Sequence, residues 1–66
     1  MEAAKQFGRN LRTARRQAGL TQDRLAAEVY LHHSAISRIE TGKYIPRLDH
    51  VIRLAAALEL RVRDLL

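Results

Sequence analysis

The apolar residues of this chain recur every three or four positions and never in strict alternation, which restricts it to helices. At roughly 100° per residue, Ala3, Phe7, Leu11, Ala14 and Ala18 fall on one narrow stripe and predict a helix over 3–18. Lys5, Arg9, Arg12 and Arg16 lie on the opposite side. Gly19 ends the helix, since glycine most readily takes the left-handed conformation of a helix C-terminus.

The same periodicity gives the remaining elements. Thr21 is a good N-cap, and Asp23 in the first turn complements the helix dipole. Leu25, Ala26 and Val29 form the apolar side of a short helix that ends near Val29. A third helix is expected over 33–41. Ala35, Ile36 and Ile39 share one side of it, while His33, Ser34, Ser37, Arg38 and Thr41 share the other within an arc of about 140°. That second side consists almost entirely of hydrogen-bonding groups. After a loop at 43–46, a fourth helix over 48–58 carries a broad apolar face: Leu48, Val51, Ile52, Leu54, Ala55 and Leu58. A last short helix is expected over 62–66. The fold class is all-α, with the 66 residues forming one domain over 1–66.

Composition narrows the function. Twelve Lys+Arg against seven Asp+Glu give a net charge of +5, which suits a polyanionic partner. Without cysteine, neither a disulfide framework nor a thiolate metal site is available. No apolar run approaches the roughly 18 residues of a membrane span, and Met1 to Phe7 is too polar for a signal peptide. A cytoplasmic location is expected. His32, His33 and His50 lack the i, i+4 spacing of a helical metal site. Ser34 and Ser37 near His33 have no orienting acid or oxyanion element beside them. Neither a cofactor, a metal nor an enzymatic activity is expected.

Two short helices joined by a tight connection, the second with a polar outer face, describe a helix-turn-helix over about 21–41. Specific residues sharpen this. Ala18-Gly19-Leu20-Thr21-Gln22, Leu25-Ala26, Ile36-Ser37-Arg38-Ile39-Glu40-Thr41-Gly42, Pro46 and Leu54-Ala55-x-Ala57-Leu58 closely resemble the Xre family, the lambda repressor/Cro-like DNA-binding domains. The similarity runs from Phe7 to Leu66 in order and spacing.

The resemblance implies a five-helix bundle whose third helix, 33–40, enters the major groove of double-stranded DNA. It places His33, Ser34 and Arg38 at base edges, with Ser37 beside them. Chemistry supports the same face independently: base edges demand donors and acceptors, and a guanidinium bonds guanine O6 and N7 bidentately. The resemblance gives Gln22 a backbone phosphate and a buttressing contact to His33; the free N–H groups of a helix start favour that phosphate too. It also implies an ion pair between Arg15 and Glu40 that orients the recognition helix and leaves Arg15 near the DNA backbone. His32, Thr41, Lys43 and Arg47 are the other implied backbone contacts, Arg47 with access to the minor groove.

Some positions depart from the family pattern. Tyr30 and Glu59 stand where glycine is usual, and a positive φ there costs roughly 1 kcal/mol. His32, Arg47 and Arg61 replace the usual capping residues.

A single module of this size reads few base pairs. A symmetric homodimer, placing two recognition helices about 34 Å apart, is therefore expected. Its surface is expected at Leu60, Val62, Leu65 and Leu66, helped by the outer side of the fourth helix. The expected function is sequence-specific transcriptional regulation, as a repressor, of the kind found in phage repressors and restriction–modification controllers. The alternative is an antitoxin of this fold, which binds a toxin protein as well as its own operator.

Overall fold

The computed structural model describes residues 2–66. They form α1 (Glu2–Gln17), α2 (Gln22–Glu28), α3 (His33–Glu40) and α4 (Leu48–Ala57), followed by a 3-10 turn at Val62–Asp64. Leu11, Leu25, Ile36, Ile39, Leu54 and Leu65 are completely buried and draw all of these segments onto one core.

The expected fifth helix is only that single turn, because a segment this short cannot repay helix nucleation. Its geometry is set from outside. The Asp64 carboxylate accepts from the Arg61 backbone N–H at 2.9 Å, Asn10 Nδ2 donates to the Leu65 carbonyl at 3.0 Å, and the Leu65 side chain fills the core.

All four α-helices end in the same way. Gly19, Tyr30, Gly42 and Glu59 take positive φ values of 75°, 60°, 77° and 57°. The next residue then donates its N–H back to the last turn: Leu20 to Arg15 O, Leu31 to Ala26 O, Lys43 to Arg38 O and Leu60 to Ala55 O, at 2.8–3.1 Å. This is the Schellman closure. Tyr30 and Glu59 carry the strain expected of them because the returning bond fixes the turn. Leu31 and Leu60, the residues that follow them, also pack on the core.

The start of α3 corrects one sequence expectation. His32 does cap it: its Nδ1 accepts from the Ser34 backbone N–H at 3.2 Å, so imidazole does the work of the usual Ser or Asp. Arg47, at the start of α4, makes no side-chain cap.

On α1 the buried face is rotated from the expected stripe. Ala4, Phe7, Gly8, Leu11 and Arg15 are buried, whereas Ala3 and Ala18 are exposed. Gly8 explains the rotation. A Cβ built there would collide with the Ile39 carbonyl oxygen and lie 2.6 Å from that of Glu40, so the α1 backbone rests directly on the last turn of α3. Gly8→Ala is accordingly expected to destabilise the fold by about 1–3 kcal/mol through overpacking. In an unhindered helix the same change stabilises by about 1 kcal/mol, so a rise in Tm on thermal unfolding would refute the close approach.

Candidate nucleic-acid interface

α3 presents two chemically distinct sides. Ile36 and Ile39 face inward and are fully buried. His33, Ser34, Arg38 and Thr41 are exposed, and Ser37 is half-buried. The outer side therefore carries donors and acceptors with no bulky apolar residue, and Lys43 and Arg47 lie exposed in the segment that follows it.

The orientation of this helix is set by its last residue. The Glu40 side chain is wholly inaccessible, and a carboxylate at a helix C-terminus is disfavoured by the dipole. Four donated bonds compensate. Arg15 gives Nε to Oε2 at 2.6 Å and a second guanidinium nitrogen to Oε1 at 3.2 Å; Gln22 Nε2 reaches Oε1 at 3.0 Å and Arg12 Nε reaches it at 3.4 Å. The third Arg15 nitrogen donates to the Leu20 carbonyl at 2.8 Å. One carboxylate thus ties α1, the α1–α2 corner and the start of α2 to the end of α3. Burial alone would raise the pKa of Glu40, but the hydrogen bonds from Arg15 and Gln22, with the charge of Arg15, outweigh it and hold the carboxyl below its ordinary value.

Several expected roles change in consequence. Arg15 and Glu40 do pair, but Arg15 is buried, with three of its five N–H donors engaged inside the protein, so little of its side chain reaches the surface expected to meet the DNA backbone. Arg12, expected on the solvent side of α1, joins the same carboxylate and keeps 42% of its side chain exposed. Gln22 buttresses Glu40 rather than His33; its amide retains a second hydrogen for a phosphate. The His33 ring lies against that of His32, with centroids 4.2 Å apart, while the Ser34 hydroxyl is 2.8 Å from His32 Nδ1. The Thr41 hydroxyl donates to the Ser37 and Arg38 carbonyls at 2.9 and 3.2 Å, which commits its one hydrogen. Arg47 is exposed and pairs with Asp49 at 3.1 Å.

The C-terminal residues expected at the dimer surface differ in exposure. Leu65 is 0% exposed, and Leu60 and Val62 pack half-buried against the core, leaving only Leu66 exposed. The other large apolar side chains that face outward are Tyr30 at 85%, at the turn after α2, and Leu48 at 69%, Ile52 at 52%, Ile45 at 44% and Tyr44 at 38%. Leu48 and Ile52 are one turn apart on α4, at the exposed edge of the face whose Val51, Leu54 and Ala55 are buried.

Comparison with known proteins identifies the architecture. A family model described as Helix-turn-helix matches residues 11–65. This chain belongs to the helix-turn-helix family. Within that family it is 36% identical over 61 residues to the control protein C.BamHI of Bacillus amyloliquefaciens, a match spanning 91% of this chain and 75% of the relative. Its fold superposes on the crystal structure of the restriction-modification controller protein C.AhdI from Aeromonas hydrophila with a TM-score of 0.95 and 32% identity, covering all of both chains. A hypothetical transcription factor, NHTF, from Neisseria gives a TM-score of 0.90 at 27% identity over 96% of this chain and 72% of that one. The Xre-type helix-turn-helix inferred from the motifs is the family found. This helix-turn-helix chain is a DNA-binding transcriptional regulator. The antitoxin alternative gains no support from these relatives. No helix among the described residues is long and apolar enough to cross a membrane.

Proposed function

We propose that this chain is the controller of a restriction–modification system, a cytoplasmic repressor that binds operator DNA as a symmetric homodimer with α3 in the major groove. The likeness to two named controllers supports the biological role. The observation that carries the mechanism is the outer side of α3, polar and basic, on a helix whose rotation is locked by Glu40. In this reading Arg38 bonds a guanine, and His33, Ser34 and Ser37 read neighbouring bases. Lys43, Arg47, Gln22 and His32 hold the phosphates, with Arg12 taking the backbone role assigned to Arg15 on sequence grounds.

The dimer surface in this reading is the exposed side of α4. Leu48, Ile52 and Ile45 form a self-complementary apolar patch on a two-fold axis, as an isologous interface requires. A reading frame for an endonuclease or methyltransferase beside this gene supports the controller role; a toxin frame in that place argues against it.

Selection from random duplexes supplies the preferred site. If the dimer makes roughly 6–10 phosphate contacts, affinity for that site falls about 10³–10⁵-fold between roughly 50 and 200 mM salt. A flat salt response sinks the DNA-binding mechanism. Arg38→Ala is expected to lose about 1–3 kcal/mol of discrimination at one base pair of each half-site with an unchanged salt slope. A slope reduced by about one, with discrimination intact, would place Arg38 on a phosphate instead.

A further inference from the structure

Arg38 is restrained differently from the other arginines. Arg9, Arg12, Arg15, Arg24 and Arg47 each pair with a carboxylate, whereas Arg38, like Arg16, Arg53 and Arg63, makes no ion pair or side-chain hydrogen bond among the described residues, and it alone of these four lies over an aromatic ring. Its guanidinium carbon lies 5.6 Å from the centroid of the Tyr44 ring. Tyr44 sits two residues beyond Gly42, and the bond from the Lys43 N–H to the Arg38 carbonyl, at 2.9 Å, folds this loop back onto the end of α3. The ring is therefore held beside α3 by the backbone closure of the helix itself.

A carboxylate and an aromatic ring restrain a guanidinium differently. A carboxylate occupies the N–H donors that would bond a base. A ring engages the cation through its π-electrons and leaves those donors available. We propose that Tyr44 is a positioning residue for base recognition: it limits the wandering of the Arg38 side chain in free protein without blocking its hydrogen-bonding edge. Arg38 then meets guanine with part of its conformational freedom already removed. This rests on the reading of Arg38 as a base reader.

The test compares Tyr44→Leu and Tyr44→Phe with Arg38→Ala and the Arg38→Ala/Tyr44→Leu double variant. Leucine keeps apolar bulk next to Ile45, and phenylalanine keeps the ring without its hydroxyl. Affinity is measured for the selected site and for the same site changed at the base pair where Arg38→Ala loses discrimination. Tyr44→Leu is expected to reduce the ratio of the two affinities about two- to fivefold, the range of an exposed cation–π contact. Tyr44→Phe restores the ratio, and Tyr44→Leu has no further effect once Arg38 is alanine.

A Tyr44→Leu ratio equal to wild type overturns the proposal while leaving Arg38 as a reader. So does an equal loss of affinity for both sites, the mark of a weakened dimer or a lost phosphate contact. Additive effects in the double variant, or a Tyr44→Phe variant as impaired as Tyr44→Leu, overturn it as well. If Arg38→Ala discriminates as well as wild type at every base pair, the base-reading role falls first and the positioning role with it.

Discussion

Glu40→Ala is expected to destabilise the domain by about 3–5 kcal/mol, the cost of leaving the partner of a buried ion pair uncompensated. A chain of this length has roughly 3–10 kcal/mol in total, so the change removes a large share of the stability and the chemical-denaturation midpoint should fall by about a third or more. The reason is the convergence at one site: Arg15, Arg12 and Gln22 all donate to this carboxylate, and Arg15 is buried. A loss no larger than that of an exposed glutamate such as Glu2 would refute the central role given to it.

Acid should mimic the substitution in part. The pKa of Glu40 is lowered on folding, so its stabilisation is fully present above the unfolded value and is lost as pH falls through the lower, folded one. Glu40→Gln cannot titrate. Its unfolding free energy should therefore fall less than that of wild type between about pH 5 and 3, and parallel profiles would show that Glu40 is not preferentially charged in the folded state.

Leu48→Asp is expected to abolish dimerisation at micromolar concentration while leaving the monomer folded. Burying a leucine contributes about 2 kcal/mol, and on a two-fold axis each change is made twice. About 4 kcal/mol is lost, roughly a thousandfold in the dimer constant, and the two introduced carboxylates repel each other further. Sedimentation equilibrium reads this directly, and affinity for the two-fold site should collapse towards that of a single half-site. Leu66→Asp is the contrasting variant, since Leu66 is as exposed as Leu48 but lies outside the α4 patch. Should Leu66→Asp dissociate the dimer and Leu48→Asp not, the interface is the C-terminal one expected from sequence.

Leu48, exposed, and Leu65, buried, also show where sequence reasoning stops. Leu48 and Leu65 are chemically identical, and periodicity places Leu48 on an apolar face of its helix. Their burial is nevertheless reversed from expectation. A 66-residue domain buries only about 60% of its unfolded surface, so more apolar side chains compete for the core than it can hold. Helix rotation and the path of the last residues decide which of them enter. Gly8 and Arg12 were missed for a related reason. A glycine inside a helical pattern hints at close backbone approach, but its partner, the end of α3, is 31 residues away at Ile39. Arg12 precedes Arg15 by one turn, and only the position of Glu40 shows that both reach one carboxylate.

By itself the sequence determined four α-helices, the Thr21 cap, the turns at Gly19 and Gly42, and the division of α3 into an apolar and a polar side. Each of these depends on residues within one or two turns of one another. The tertiary structure decided how α3 is held, which of Arg12 and Arg15 remains available to solvent, and which hydrophobic side chains stay outside. Those outcomes depend on the relative rotation of helices far apart in the chain, and close packing, rather than local preference, fixes that rotation.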